Sequence, residues 1–134
     1  MKTTFMISGK RKSAVAKARV SVGNGNVTFN GTPLENLYLF HKLAIQEPLR
    51  VFEHVIGKIP IDLRVTATGG GAEGQIQAAR LAIAKALVKH TKSVELKKAY
   101  LQYDRNLLVA DIRRKEAYKP GDSKARAKRQ KSYR

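Results

Sequence analysis

The order of hydrophobic patterns along this chain, strands first, then helices, then one more strand and a long helix, predicts a two-layer α+β domain. Three features carry that expectation. Ile59, Ile61, Leu63, Val65 and Ala67 alternate with Pro60, Asp62, Arg64, Thr66 and Thr68, the period of a strand with one buried face. Ile76, Ala79, Ile83, Ala86, Leu87 and His90 recur at helical spacing over 75–90, so a long helix follows that strand. Hydrophobic residues make up 43% of the 134, enough for one modest core, whereas residues 119–134 contain no large aliphatic side chain. A segment that cannot bury apolar surface cannot offset the entropy of ordering. The chain is therefore expected to divide into a globular domain over 1–112 and a long extended basic tail over 113–134.

Taken in order, the N-terminus offers only Phe5, Met6 and Ile7 as an apolar run, too short for a signal peptide. Over 13–22, Ala14, Ala16, Ala18, Val20 and Val22 fall on one side and Ser13, Val15, Lys17, Arg19 and Ser21 on the other, a half-buried strand with cations outward. Gly23, Asn24, Gly25 and Asn26 can supply positive φ angles, which predicts a hairpin onto Val27, Thr28 and Phe29. Asn30-Gly31 gives a second turn before Thr32-Pro33. Leu37, Phe40, Ala44 and Ile45 then mark one helix to about Gln46. Pro48 suits the first turn of a second, with Leu49, Phe52, Val55 and Ile56 inward and Gly57 at its end. On the long helix Lys85, Lys89 and Lys92 form a basic stripe expected to face outward. A short helix over 94–103 follows, and 104–112 is expected to run extended along the body.

Charge is segregated rather than mixed. Of the net +17, residues 1–33 hold +6 with no acid, 34–112 hold +3, and 113–134 hold +8. A balanced middle between two basic ends is the footprint of contact with a dense polyanion. There is no cysteine, which excludes disulfides, thiolate metal sites and a cysteine nucleophile. His41, His54 and His90 are too dispersed for metal spacing, and the acids show no paired placement suited to acid-base catalysis. No enzyme, cofactor, small-molecule substrate or membrane span is expected, and the location expected is cytoplasmic.

Gly69 to Gly74 satisfies G-x-G-x-x-G between a strand and a helix, with Glu95 about 20 residues further on. The surroundings fail the dinucleotide fingerprint, because no parallel strand leads to that acid. Two readings of the loop remain: Gly69, Gly70 and Gly71 let a phosphate approach the free amides near Gln75, or they serve a tight turn. Lys10, Arg11 and Lys12 form a cation cluster at a strand start. Tyr118 and Tyr133 lie among cations outside any apolar period, as bases stacked on RNA-binding proteins require, while Tyr100 and Tyr103 can pack a helix.

Five segments, GKRKSAVAKARV (9–20), NGTPLENL (30–37), IDLRVTATGGGAEGQ (61–75), YDRNLLVADIRRKE (103–116) and AKRQKSYR (127–134), occur in this order. Together they resemble the ribosomal protein S-nine family of the small subunit, and the ending is similar to its archaeal and eukaryotic branch. The resemblance implies a two-layer α/β sandwich, shared with a domain of ribosomal protein S-five, containing a left-handed β-α-β crossover. It implies a structural component of the subunit head, bound to the 3′ major domain of the ribosomal RNA beside neighbouring head proteins. The RNA-binding residues expected on the body are Lys10, Arg11, Lys12, Lys17, Arg19, Gly69, Gly70, Gly71, Gln75 and Arg105. Those expected further on are Arg113, Arg114, Lys115, Lys119, Lys124, Arg126, Lys128 and Arg129. The terminal Lys131, Ser132, Tyr133 and Arg134 match the family positions that approach the anticodon stem-loop of P-site transfer RNA. Composition by itself also fits a free DNA-compacting or RNA-chaperone protein.

Overall fold

Ala14, Ala16, Ala18 and Val20 on one strand and Ile61, Leu63, Val65 and Ala67 on another are buried, and the two strands lie side by side. In the computed structural model, which describes residues 4–120, they are β2 (Ala14–Val22) and β5 (Ile61–Thr68), paired antiparallel from Val15 opposite Thr68 to Val22 opposite Ile61. Around them stand β1 (Phe5–Arg11), β3 (Val27–Phe29) and β4 (Thr32–Pro33), in the order β1-β2-β5-β3-β4. The helices are α1 (Leu39–Val55), α2 (Ala72–Thr91) and α3 (Val94–Tyr103). The fold is α+β, a mixed sheet with helices over one face. β3 runs parallel to β5, so β3, α1 and β5 form a β-α-β crossover.

The expected hairpin between β2 and β3 does not form, because β5 lies between them. β5 offers β2 an eight-residue partner with unbroken alternation, against three residues in β3. The connecting loop is instead held over the end of β5. Asp62 Oδ1 accepts from the amides of Asn24, Gly25 and Asn26 at 2.9, 3.2 and 3.0 Å. The second turn forms as expected, with Asn30 and Gly31 at φ 50° and 80° joining β3 to β4.

The two helices expected on either side of Pro48 are one. Pro48 removes a single backbone donor, and Ile45, Leu49 and Phe52 still bury one continuous stripe through it. Phe40 and Ile56, expected inward, are 64% and 46% exposed. At 100° per residue Phe40 lies about 140° around the helix from Ile45, and Ile56 lies past the last helical residue. The segment after α3 also departs from a simple extended run: Arg105–Leu107 forms a short 3-10 turn that buries Leu107.

α2 is buried on more than one side. Ala78, Leu81, Ala82 and Ala84 are as buried as the expected stripe, because the sheet covers one side and α1 packs on another. β1, which the sequence reading missed, crosses α2 at Gly9. A Cβ there would lie 2.4 Å from the Ala78 carbonyl oxygen and 2.8 Å from the Ala82 nitrogen. On the far side of α1, Tyr100 of α3 is fully buried and its hydroxyl donates to the Pro48 carbonyl at 2.7 Å. Burial pushes the phenol pKa up, so the donor stays protonated. Tyr100→Phe is expected to cost about 1 kcal/mol in urea denaturation, the worth of one buried hydrogen bond. A cost near zero would show that this bond does not tie α3 to α1.

Candidate nucleic-acid interface

The sheet has one face under the helices and one face open, and period-two alternation decides which side chains reach the open one. Register places Arg19 of β2 directly opposite Arg64 of β5, and Lys17 opposite Thr66. On the other side of β2, Met6 lies opposite Arg19, Ser8 opposite Lys17 and Lys10 opposite Val15. Lys10, Lys17, Arg19 and Arg64 are therefore four cations on one surface, and all are exposed. None of these four side chains has an ion pair or hydrogen bond among the described residues. The acid nearest in this lattice, Asp62, is engaged by three loop amides.

Lys10, Lys17 and Arg19 were expected to bind RNA, and the fold brings them together with a fourth cation that sequence reasoning passed over. Arg64 had a readable signal, its outward parity in the clearest strand of the chain. Like charges directly opposite on antiparallel strands are destabilising, so the Arg19 and Arg64 pair calls for an anion that the described chain does not supply.

Arg11, also expected to face RNA, points elsewhere. It pairs with Asp111, which Arg113 grips as well: Nε donates at 3.1 and 2.9 Å to its two oxygens, Nη2 donates at 2.7 Å, and the Arg113 amide donates at 3.0 Å. The Arg113 side-chain and backbone hydrogen bonds, with the charge of Arg11, hold the Asp111 carboxyl well below the usual carboxylate range. The side-chain hydrogen bond to Asp111 and the charge of that carboxylate in turn raise the Arg113 pKa. A depressed folded pKa means the clamp is made throughout the range above ordinary carboxylate titration and is released only in strong acid. The Arg11–Asp111 pair thus fastens the C-terminal segment to β1, and Arg113 holds the same carboxylate from within the segment. Nearby, Arg80 of α2 bridges Glu47 of α1 and Asp104 at the end of α3, a second internal tie.

At the glycine loop, Gly69 and Gly70 have φ of 74° and 61°, and a Cβ on Gly69 would lie 2.6 Å from the Ser13 carbonyl oxygen. These two glycines are required by the turn against the β1-β2 connection. Gly71, the N-cap of α2, is extended and uncrowded. Gln75 closes the loop by donating from Nε2 to the Gly69 carbonyl at 3.1 Å, and Glu73 in the first turn meets His41 at 3.1 Å. Lys12, exposed at φ 53°, borders a cleft of about 210 Å³ beside this loop.

Arg105 is exposed on the turn after α3. Arg114, Lys115 and Lys119 are exposed along the final described stretch. Arg114 donates to the Arg113 carbonyl at 2.9 Å, and Lys115 meets the Tyr118 hydroxyl at 2.6 Å with its ammonium 4.5 Å from the ring centroid. Tyr118 is 64% exposed, whereas Tyr100 is core, as its helical spacing allowed. Lys124, Arg126, Lys128, Arg129 and the terminal Lys131, Ser132, Tyr133 and Arg134 lie outside the described residues. Among the described residues no cluster of His, Asp or Glu suited to a metal ion occurs, and no helix is long and apolar enough to cross a membrane.

A family model described as ribosomal protein S9/S16 matches residues 9–134. The chain is 43% identical over 129 residues to "Small ribosomal subunit protein uS9" of Methanococcus vannielii, covering 94% of this chain and 95% of the relative. It is 48% identical over 129 residues to the protein of that name from Thermoplasma volcanium, covering 95% and 96%. Against its Thermoplasma acidophilum counterpart identity is 47% over 132 residues, covering 97% and 100%.

Proposed function

Because the chain belongs to the ribosomal protein S9/S16 family, we propose that it is a structural constituent of the small ribosomal subunit, binding ribosomal RNA of the 3′ major domain in the subunit head. The family match over 9–134 carries this reading, and the segregated charge supplies its physics. Lysines and arginines that neutralise phosphates release condensed counterions, so binding is driven by salt-sensitive contacts that need no base sequence. The body over 1–112 presents the open sheet face, and 113–134 acts as a basic arm. Two observations support that division: Leu107 is the last buried residue among those described, and 113–120 are exposed throughout. Tyr38, Leu39, Phe40 and Leu43 form an exposed apolar cluster at the start of α1, a surface suited to neighbouring head proteins. The location that follows is the cytoplasmic ribosome.

The terminal Lys131, Ser132, Tyr133 and Arg134 reach the anticodon stem-loop of P-site transfer RNA in this reading. Deleting Ser132, Tyr133 and Arg134 should leave the protein incorporated into small subunits while weakening their P-site transfer RNA binding. Unchanged transfer RNA affinity in truncated subunits would sink the terminal assignment. Sedimentation of cell extract at moderate salt tests the larger one: the protein should travel with small subunits, and travel with DNA would favour a free nucleic-acid-compacting role instead.

A further inference from the structure

We propose that the open face of the sheet takes the sugar-phosphate backbone of base-paired RNA, with Arg19 and Arg64 closing on one phosphate and Lys17 and Lys10 on its neighbours. The inference rests on the RNA-binding reading above and names the kind of RNA this face accepts. Directly opposed residues on antiparallel strands have Cα atoms about 4.5–5.5 Å apart. Two arginines rooted that closely on one face can both reach a single anion, and a phosphate matches the bidentate geometry of a guanidinium. Without it, two cations stand opposed with no partner among the described residues.

The rest of the face selects backbone over bases. None of the outward positions on β1, β2 or β5 is aromatic, so unpaired bases find nothing to stack on, and stacking is what holds single strands on sheet surfaces. Between the cations stand Ser8, Thr66 and Thr68, short hydroxyls that both donate and accept. Such groups suit the 2′-hydroxyls and phosphates displayed across the wide, shallow minor groove of an A-form helix. Sequence is not read here; duplex shape is.

The purified full chain should bind an RNA duplex of about 16 base pairs more tightly than a DNA duplex of the same sequence. Arg19→Ala and Arg64→Ala should each weaken RNA-duplex binding about tenfold and reduce its salt slope by about one. Binding to an unpaired RNA of equal charge should stay within about twofold, since the basic ends hold it. Equal losses on both RNAs, or no loss on the duplex, would overturn the proposal. Both variants should melt no lower than the parent, because each relieves a like-charge pair. The absence of cysteine permits a second measurement, a hydroxyl-radical source attached at Thr66→Cys in assembled small subunits. Cleavage on both strands across a minor groove is expected, and cleavage confined to loops would overturn the proposal. A chain that passes the purified test but does not enter small subunits would refute the ribosomal reading and leave this inference standing.

Discussion

Removal of residues 119–134 is expected to flatten the salt dependence of RNA binding by about five to six powers of salt concentration. The segment holds seven of the 27 Lys and Arg residues and one acid. Each neutralised phosphate contributes a logarithmic slope of about 0.7 on single strands to 0.9 on duplexes, so seven contacts account for that range. Between about 50 and 200 mM salt the full chain should therefore lose roughly a thousandfold more affinity than the shortened one. Fluorescence anisotropy across a salt series measures the difference. A slope change below about two would mean that most of these cations do not meet phosphates.

Gly9→Val is expected to destabilise the body by about 3 kcal/mol or more, lowering the melting temperature by about 10 °C or more. The new side chain would be driven into the Ala78 carbonyl and the Ala82 amide, both backbone atoms of a helix packed under the sheet. Shrinking a neighbouring side chain cannot relieve such a clash; α2 itself has to move. Ser8→Val, one residue away on the open face, is the control and should change stability little. A Gly9→Val protein that melts within about 2 °C of the parent would show that β1 can separate from α2 without cost.

What the chain discloses in advance follows the range of the interactions involved. β5 and α3 were legible because strict alternation and a capped helical period are local; Ser93 accepts from the Leu96 amide at the start of α3 as such a cap requires. β1 was not, since Gly9 leaves a gap in its buried face and only the crossing of α2 explains the gap. The rejected hairpin shows the same limit. Gly23 to Asn26 can turn, yet a carboxylate 36 to 38 residues away decides where they turn. Among the site residues, the outward cations of β2 were readable from parity alone. The outward parity of Arg64 was readable too, but its pairing with Arg19 appears only when β5 is laid against β2, and Arg11 loses its freedom only when Asp111, a hundred residues on, is folded back onto it.

The Asp111 clamp also sets a length. By pairing Asp111 with Arg11 of β1, it fixes the origin of the 23 residues that follow, 112–134. A fully extended chain spans at most about 3.3–3.6 Å per residue, so the backbone of the terminal Arg134 can lie no farther than roughly 76–83 Å from that anchor. Within that radius, the body's docking pose alone determines which targets the last residues can meet. Asp111→Ala would move the origin back toward Leu107, widening the sphere while diluting the terminal residues within it.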